Sequence, residues 1–463
     1  MPIGVLQQAS RRLAFLLLME MALILGAIVV AGYLRLGDPG RLFAEPNAVP
    51  KALLITFVCQ MCLYYADLYD EMRITPDRRE LLVRIFQALG ATSLVLSLLY
   101  YMFPALVLGR GIVMIAAMLI TAVVISWRLA FSWFARRVGP RERLLLVGTS
   151  AAGVALAKEL HRREDLGIQI VGFVDNDPAR VGQPVFNPGI IGTIDDIPEI
   201  VRSRSIDRVV VSLADARGKL PMEKLLEMRT AGVTFHHMAN VYEEYTGKIA
   251  VENLRPSWLI FSSGFRKSLW REAVKRGIDV AAAIGVITVM SPVLLLLAAL
   301  IRLTSPGPVV YSQRRVGLQG KPFTVYKLRS MRADAEAETG AVWATRGDAR
   351  VTPLGRFMRR TRLDELPQMW NVLRGDMSLV GPRPERPEFV QDLELQIPFY
   401  GQRHVVKPGL TGWAQVRYTY AASVEDAMEK LQFDLFYIKN FSIGLDLFIM
   451  FETVKTVVLR RGV

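Results

Sequence analysis

Residues 278–301 read IDVAAAIGVITVMSPVLLLLAALI, and the fold class depends on what that run does. It holds about 24 residues, enough for a straight helix to cross a bilayer. Ser291-Pro292 sits in its middle, where proline removes a helical hydrogen bond and serine can satisfy the freed carbonyl. The flanks are basic on both sides, with Lys267, Arg271, Lys275 and Arg276 before it and Arg302, Arg314 and Arg315 after it. Ends held at one anionic leaflet imply a segment that enters, bends and returns, so a re-entrant membrane helix is expected over 268–303. An ordinary spanning helix with a proline kink stays open on this segment alone.

Upstream lie four more apolar runs, at about 13–34, 52–69, 85–107 and 111–127, each near the length of a membrane crossing. They predict a four-helix transmembrane bundle over 1–135, and a cleaved signal peptide is not expected. Arg11, Arg12, Arg73, Arg78, Arg79, Arg84, Arg128, Arg136, Arg137, Arg141 and Arg143 fall on one side. Arg35, Arg41, Lys51 and Arg110 fall on the other, so both ends of the bundle are expected in the cytoplasm. Glu20, inside the first run, reads as interhelical glue rather than a relay. The chain's net charge is +14 with a mean hydropathy of +0.28. Since the cations cluster beside apolar runs, they point to anionic lipids and phosphorylated substrates rather than nucleic acid.

Past the bundle the hydrophobic period changes. RLLLVG (143–148), IQIVGFVD (168–175) and RVVVSL (208–213) read as strands separated by helical stretches, a Rossmann-like parallel α/β module over 142–250. Its first turn, Gly148 to Gly153, lacks the middle glycine of a dinucleotide loop, although Asp175 stands where a ribose-binding acid would. Both a nucleotide sensor and a structural module are open readings. Cys59 and Cys62 lie in an apolar run, and His161, His236, His237 and His404 show no ligand spacing, so neither a disulfide framework nor a transition-metal site is expected.

From 304 onward the chain reads as a basic, mixed α/β domain. PFTVYKLRSM (322–331) is a strand turning into a loop, with Lys327 and Arg329 on one face, which suits a diphosphate or a solvated edge. In RRTRLDELPQ (359–368), Asp364 is expected at or beside the N-cap of a helix that contains Pro367. Arg359, Arg360 and Arg362 would then help keep it ionised, as a capping group or as a nucleophile toward phosphorus. Glu365 could join it in holding Mg2+. In GDMSLVGPRPERPEF (375–389), Pro382 and Pro384 stiffen the loop carrying Arg383, which can meet a phosphate with little entropy loss. The C-terminal GLDLFIMFETVKTVVLRRGV is an amphipathic run that could lie along the membrane or pack in the core.

Taken in order, KLRSM, RLDELPQMWNVLRGDMSLVGPRP, KPGLTGWAQV and DLFYIKN closely resemble the polyprenyl-phosphate hexose-1-phosphate transferases, the large monotopic phosphoglycosyl transferases of bacterial exopolysaccharide assembly. The resemblance implies that Asp364 attacks the sugar-linked phosphorus of a UDP-sugar, releases UMP and passes the phosphosugar to polyprenyl phosphate. It implies Glu365 as the Mg2+ partner, Arg359 and Arg383 near the substrate phosphates, a later acidic position at Asp434 and the helix-breaking pair at Ser291 and Pro292. One departure is Arg362, where many relatives carry serine or threonine, and it leaves the sugar undetermined. Implied partners are the UDP-sugar, polyprenyl phosphate and anionic lipids at the bacterial inner membrane, with the catalytic domain cytoplasmic and a homodimer open. Two rival readings are a membrane-anchored NAD-dependent nucleotide-sugar dehydratase and a non-catalytic scaffold. The dehydratase would need a full glycine fingerprint and a Tyr-x-x-x-Lys pair, of which 303–463 shows no convincing version.

Overall fold

The computed structural model describes residues 4–38, 41, 44, 46–69, 78–137, 142–161, 168–211, 222–230, 232–251, 269–332, 335, 350–418 and 423–458. Arg73, Arg141 and Lys267, counted in the charge reading, lie outside the described residues. The chain divides into two compact units, 2–245 and 246–463.

The first unit begins with α1 (Gly4–Leu36), α2 (Ala48–Tyr65), α3 (Arg78–Met102) and α4 (Arg110–Arg137). Ile24, Ile28, Cys59, Leu63, Ile85, Ala116 and Val124 fill their shared interior. Outward, Leu18, Phe57, Leu94, Met114 and Met118 remain exposed. Helices apolar on both faces suit lipid rather than water. The second helix ends at Tyr65 rather than at 69, because the chain turns there with Asp67 in the left-handed region. The third stops before Phe103-Pro104, where a short 3-10 turn takes over.

Glu20 does join helices. Arg128 of α4 pairs with it and donates to its Oε2 at 3.0 Å, Tyr69 donates to the same oxygen, and Arg128 also donates to the Leu68 carbonyl. A buried charge without a partner is far costlier than a paired one, so this cluster ties α1, α4 and the turn after α2 together.

The α/β module consists of β1 (Glu142–Val147), α5 (Ala151–His161), β2 (Ile168–Asp175), β3 (Ile190–Thr193), α6 (Ile197–Ser203), β4 (Arg208–Val211), α7 (Met222–Thr230), β5 (Thr234–His237) and α8 (Met238–Thr246). All four strand pairings are parallel, in the order β3-β2-β1-β4-β5. Alternation along β1 feeds both faces: Leu145 and Val147 enter one core, Leu144 and Leu146 the other. Asp175 is already engaged, accepting from Thr149 Oγ1 at 2.6 Å and Arg180 Nη1 at 2.7 Å. Residues 246–251 pack with the second unit, where Ile249 and Val251 are core residues, so the module ends near 245 rather than at 250.

The second unit is built on α9 (Leu269–Thr304), which continues as helix through Ser291-Pro292; the Ser291 hydroxyl donates to the Thr288 carbonyl at 2.9 Å. The expected interruption is therefore absent from the helical assignment. A hairpin of β6 (Val310–Val316) and β7 (Pro322–Leu328) follows, then α10 (Pro353–Thr361), α11 (Gln368–Arg374), β8 (Ser378–Val380), α12 (Pro387–Gln396), β9 (Gly409–Thr411), α13 (Trp413–Arg417), α14 (Val424–Lys439) and α15 (Ile443–Val458). Ala283 of α9 lies in the main core with Val372, Leu379, Tyr437 and Ile449, while Leu297 and Ile301 join a second core with Leu328 and Met358. The C-terminal run packs in the core through Ile449, while Leu447 and Val454 on the same helix are exposed.

Removing one member of the bundle's buried pair should be worse than removing both. Arg128→Met is expected to destabilise the full chain by about 3–5 kcal/mol, and Glu20→Gln combined with Arg128→Met by clearly less, as read from thermal unfolding in lipid nanodiscs.

Candidate active site

Three segments converge on one carboxylate. Lys327, near the end of β7, donates from Nζ to Glu365 Oε1 at 2.9 Å. Arg383, in the loop after β8, donates from Nη2 to the same oxygen at 2.8 Å. Arg362 stands 3.6 Å from Oε2. The side chains of Asp364 and Glu365 are both buried.

Local structure explains why the pair is there. Thr352 caps α10 by accepting from Gly355 N, and a Cβ on Gly355 would sit 1.9 Å from the Ser330 carbonyl oxygen, so only glycine lets α10 approach that strand end. Arg362 then takes a left-handed conformation (φ 57°), which closes α10 and starts a 3-10 turn over Leu363–Glu365. A non-glycine residue with positive φ is uncommon and here directs the chain toward the carboxylate pair. Asp364 therefore lies inside this turn. The N-cap of α11 is Pro367, three residues on, which corrects the expected capping role. Asn371 of α11 donates to the Thr324 carbonyl at 2.7 Å and accepts from Tyr326 N at 3.3 Å, which holds Glu365 beside Lys327.

The Pro382-Arg383-Pro384 loop is fixed through its carbonyls. Gly409 N donates to Pro382 at 2.9 Å, Arg403 to Arg383 at 3.0 Å and Arg315 to Pro384 at 3.1 Å. A Cβ on Gly409 would lie 2.1 Å from Gly381 N, which accounts for the glycine in KPGLTGW.

Two sequence expectations change here. Arg329 does not face the pair; its guanidinium donates to the Pro306 and Ser305 carbonyls at 2.6 and 2.8 Å, beyond the end of α9. Asp434 pairs with Arg403 at 2.8 Å and so stands behind the Arg383 loop. Arg359 donates to Ser330 Oγ at 2.9 Å and contributes positive potential at Asp364. Asn371, Arg403 and Arg315 escaped the sequence reading. Their only signal is the polar residue itself, and the contacts through which they hold the site are to backbone carbonyls and amides distant in the chain.

The two acids behave oppositely. Burial raises the pKa of Asp364 and the Glu365 charge adds to that, against the pull of Lys327, Arg359 and Arg362. The sequence had suggested that the guanidinium groups set its direction; instead burial and the Glu365 charge outweigh them. For Glu365, burial is outweighed by Arg383, Lys327 and Arg362, which hold it well below the usual carboxylate range. Burial pushes Asp434 up to about 6 despite Arg403 and Lys430.

Lys327, Arg359, Arg362 and Arg383 outnumber the two carboxylates they surround, so the site has positive charge left for an anionic ligand. Among the described residues no group of three or more His, Cys, Asp or Glu could hold a metal. Mg2+, however, needs only one or two carboxylates when substrate phosphates supply the rest. Asp364 Oδ1 is buried with no hydrogen-bond partner among the described residues, a free hard-oxygen ligand that fits such an ion.

Comparison with known families now bears on this geometry. Residues 270–460 match the bacterial sugar transferase family, and residues 65–227 match a CoA-binding domain family. A UDP-glucose:undecaprenyl-phosphate glucose-1-phosphate transferase of Escherichia coli K12 is 36% identical over 339 residues, covering 71% of this chain and 70% of the relative. The chain belongs to the bacterial sugar transferase family. A UDP-N-acetylgalactosamine-undecaprenyl-phosphate N-acetylgalactosaminephosphotransferase of Aeromonas hydrophila is 43% identical over 257 residues, 55% of this chain and 60% of that protein. The exopolysaccharide production protein PSS of Rhizobium leguminosarum is 42% identical over 193 residues and matched over 96% of its length, but over 40% of this chain. The shared region of this sugar transferase runs from α9 to α15 and carries the whole carboxylate cluster.

The acids should titrate apart. An infrared titration should show a protonated carboxyl band that persists above the ordinary aspartate range and disappears in Asp364→Asn. Glu365→Gln should shift its midpoint to lower pH, since the neighbouring negative charge is gone and two cations are released. A shift to higher pH would contradict this assignment.

Proposed function

We propose that this sugar transferase moves a hexose-1-phosphate from a UDP-sugar to a polyprenyl phosphate, on the cytoplasmic side of the bacterial inner membrane, through a covalent phosphosugar on Asp364. The observation that carries the reading is a buried carboxylate with a free oxygen, set in a ring of cations whose strongest members are already aligned by its neighbour. The names of the relatives support the substrate classes.

In the first step an Asp364 oxygen attacks the sugar-linked phosphorus, the phosphoanhydride bond breaks, and UMP leaves with the bonding electron pair. Burial makes the carboxylate a stronger nucleophile by removing its water, and its raised pKa has the same sign. Arg383 and Lys327 face the charge that develops on the leaving phosphate, and their positions need no rearrangement during the step. In the second step a phosphate oxygen of the polyprenyl phosphate attacks the same phosphorus and the aspartyl–phosphorus bond breaks, regenerating the carboxylate. Asp364 and Glu365 would hold Mg2+, which when bound supplies charge neutralisation at the diphosphate.

The re-entrant reading of α9 has support from packing. A straight helix of 36 residues is roughly 54 Å long, far more than a bilayer's hydrocarbon core. Yet Ala283, near the middle, and Ile301, near the C-terminal end, pack in cores of the same unit, with exposed Val289, Leu295 and Leu296 between them. A full crossing would drag one core into lipid, so α9 is read as an unbroken helix bent at Ser291-Pro292, with both of its basic flanks at the cytoplasmic leaflet. This brings the membrane-held acceptor and the soluble donor to one plane.

Purified wild type should release UMP from a UDP-sugar when polyprenyl phosphate and Mg2+ are present, and excess chelator should stop it. Asp364→Asn should lower the rate on the order of 10³-fold or more. With donor alone, mass spectrometry should find a phosphosugar on the peptide containing Asp364. Full turnover in Asp364→Ala would end the nucleophile assignment.

A further inference from the structure

The pairing of Glu365 with Arg383 joins two segments linked by a short hinge. α11 follows directly from the Glu365 turn, β8 leads into the Arg383 loop, and only Gly375, Asp376 and Met377 lie between them. Gly375 is left-handed (φ 92°), and the amides of Gly375, Asp376 and Met377 donate back to the Asn371 carbonyl at 3.1, 3.1 and 3.2 Å, so the link is tied to α11 and the placement of β8 beyond it depends on what holds β8 from outside.

One turn of α9 holds both. Arg276 donates from Nη1 to the Val372 carbonyl and from Nη2 to the Leu373 carbonyl at 2.6 Å. Those carbonyls belong to the last turn of α11, where the helix dipole favours a cation; Val372 also accepts from Gly375 N at 3.1 Å. Asp279, three residues on and so on the same face, accepts from Leu379 N at 3.1 Å, in the middle of β8. Lys275 donates to the Val380 carbonyl at 3.1 Å and pairs with Asp446 at 2.7 Å, which fixes it from α15. Asp279 and Asp446 are nearly inaccessible to solvent, at 4% and 6% exposure, so these contacts are not screened surface pairs.

We propose that Arg276 and Asp279 are positioning residues that set the separation of the Glu365 turn from the Arg383 loop, so that the foot of the membrane helix gauges the active site. This rests on the phosphoglycosyl transfer reading for its kinetic consequence, but not for its geometry. Neither residue touches the carboxylate pair. Each acts through the backbone of an element that carries one half of it, and a displacement of about 1 Å at such a site can cost on the order of 10²-fold in rate.

The test is a double-mutant cycle on the full-length protein in lipid nanodiscs. Arg276→Met should lower UMP release about 10²-fold, mainly in kcat, with partial recovery in Arg276→Lys, which keeps a donor for the α11 carbonyls. In an Arg383→Met background the same change should cost only about threefold or less, because the aligned partner is already gone. Asp279→Asn, which retains an acceptor for Leu379 N, should stay closer to wild type than Asp279→Ala. Gln391→Met, exposed on α12, should match wild type within about twofold. Equal losses from Arg276→Met in both backgrounds would overturn the proposal, since a general packing defect multiplies through. The same cycle is read from thermal unfolding, which needs no turnover: coupled residues shift Tm by less than the sum of the single changes, and independent ones by the full sum. If wild type releases no UMP, the transfer reading fails, and the thermal cycle alone decides the positioning claim.

Discussion

A single carboxylate organises the catalytic half of this protein. Glu365 is buried, and a buried anion is tolerated only where cations and hydrogen-bond donors reach it. Lys327 and Arg383 reach it from segments on either side of it in the sequence, so its burial requires β7, the turn after α10 and the loop after β8 to meet. The consequence for its neighbour is as important as the ion pairs themselves. With the cations engaged at Glu365, Asp364 is left desolvated, with one oxygen unsatisfied and its pKa raised. Two adjacent acids of similar chemistry thereby acquire opposite pKa shifts, and under the proposed chemistry they would take different roles.

The layers around this pair are backbone clamps more than side-chain contacts. The loop of Arg383 is held through its carbonyls by Arg315 and Arg403, and the turn of Glu365 is held through α11 by Asn371 and Arg276. A guanidinium suits this work because its planar fork can satisfy two carbonyls at once, as Arg276 and Arg329 both do. Part of the basic balance of the catalytic half is therefore internal, and does not face lipid or substrate.

This explains which features were legible in the sequence. Periodicity located the apolar helices and the strands β1, β2 and β4, since burial leaves a repeat that can be read directly, whereas β3 and β5, four residues each and without the valine run of β4, did not stand out. It could not show that the helix through Ser291-Pro292 stays continuous, because proline's effect depends on how neighbours satisfy the freed carbonyl, here the Ser291 hydroxyl at Thr288. The chemistry of Asp364, Glu365 and Arg383 was visible because charged side chains and prolines stand close together. Arg329 misled for the same reason: its spacing from Lys327 suggested a shared face, while the strand ends at Leu328 and the next side chain turns to the carbonyls after α9. Asp364 was expected at an N-cap because charge and Pro367 suggested a helix start, and only the left-handed Arg362 reveals the intervening 3-10 turn.

Charge accounting also constrains the order of events under the proposed chemistry. Lys327, Arg359, Arg362 and Arg383 surround two carboxylates, so the side chains alone offset a diphosphate, and a second phosphate beside it would draw on the charge of a bound Mg2+. The acceptor's phosphate would enter the same cationic ring as the donor's, and like charges a few ångströms apart in a desolvated site repel strongly. Departure of UMP would remove the excess negative charge before the acceptor arrives. Under that proposal a covalent phosphosugar on Asp364 would preserve the transferred group through the interval, so a single ring of cations would serve one water-soluble and one membrane-held substrate in turn.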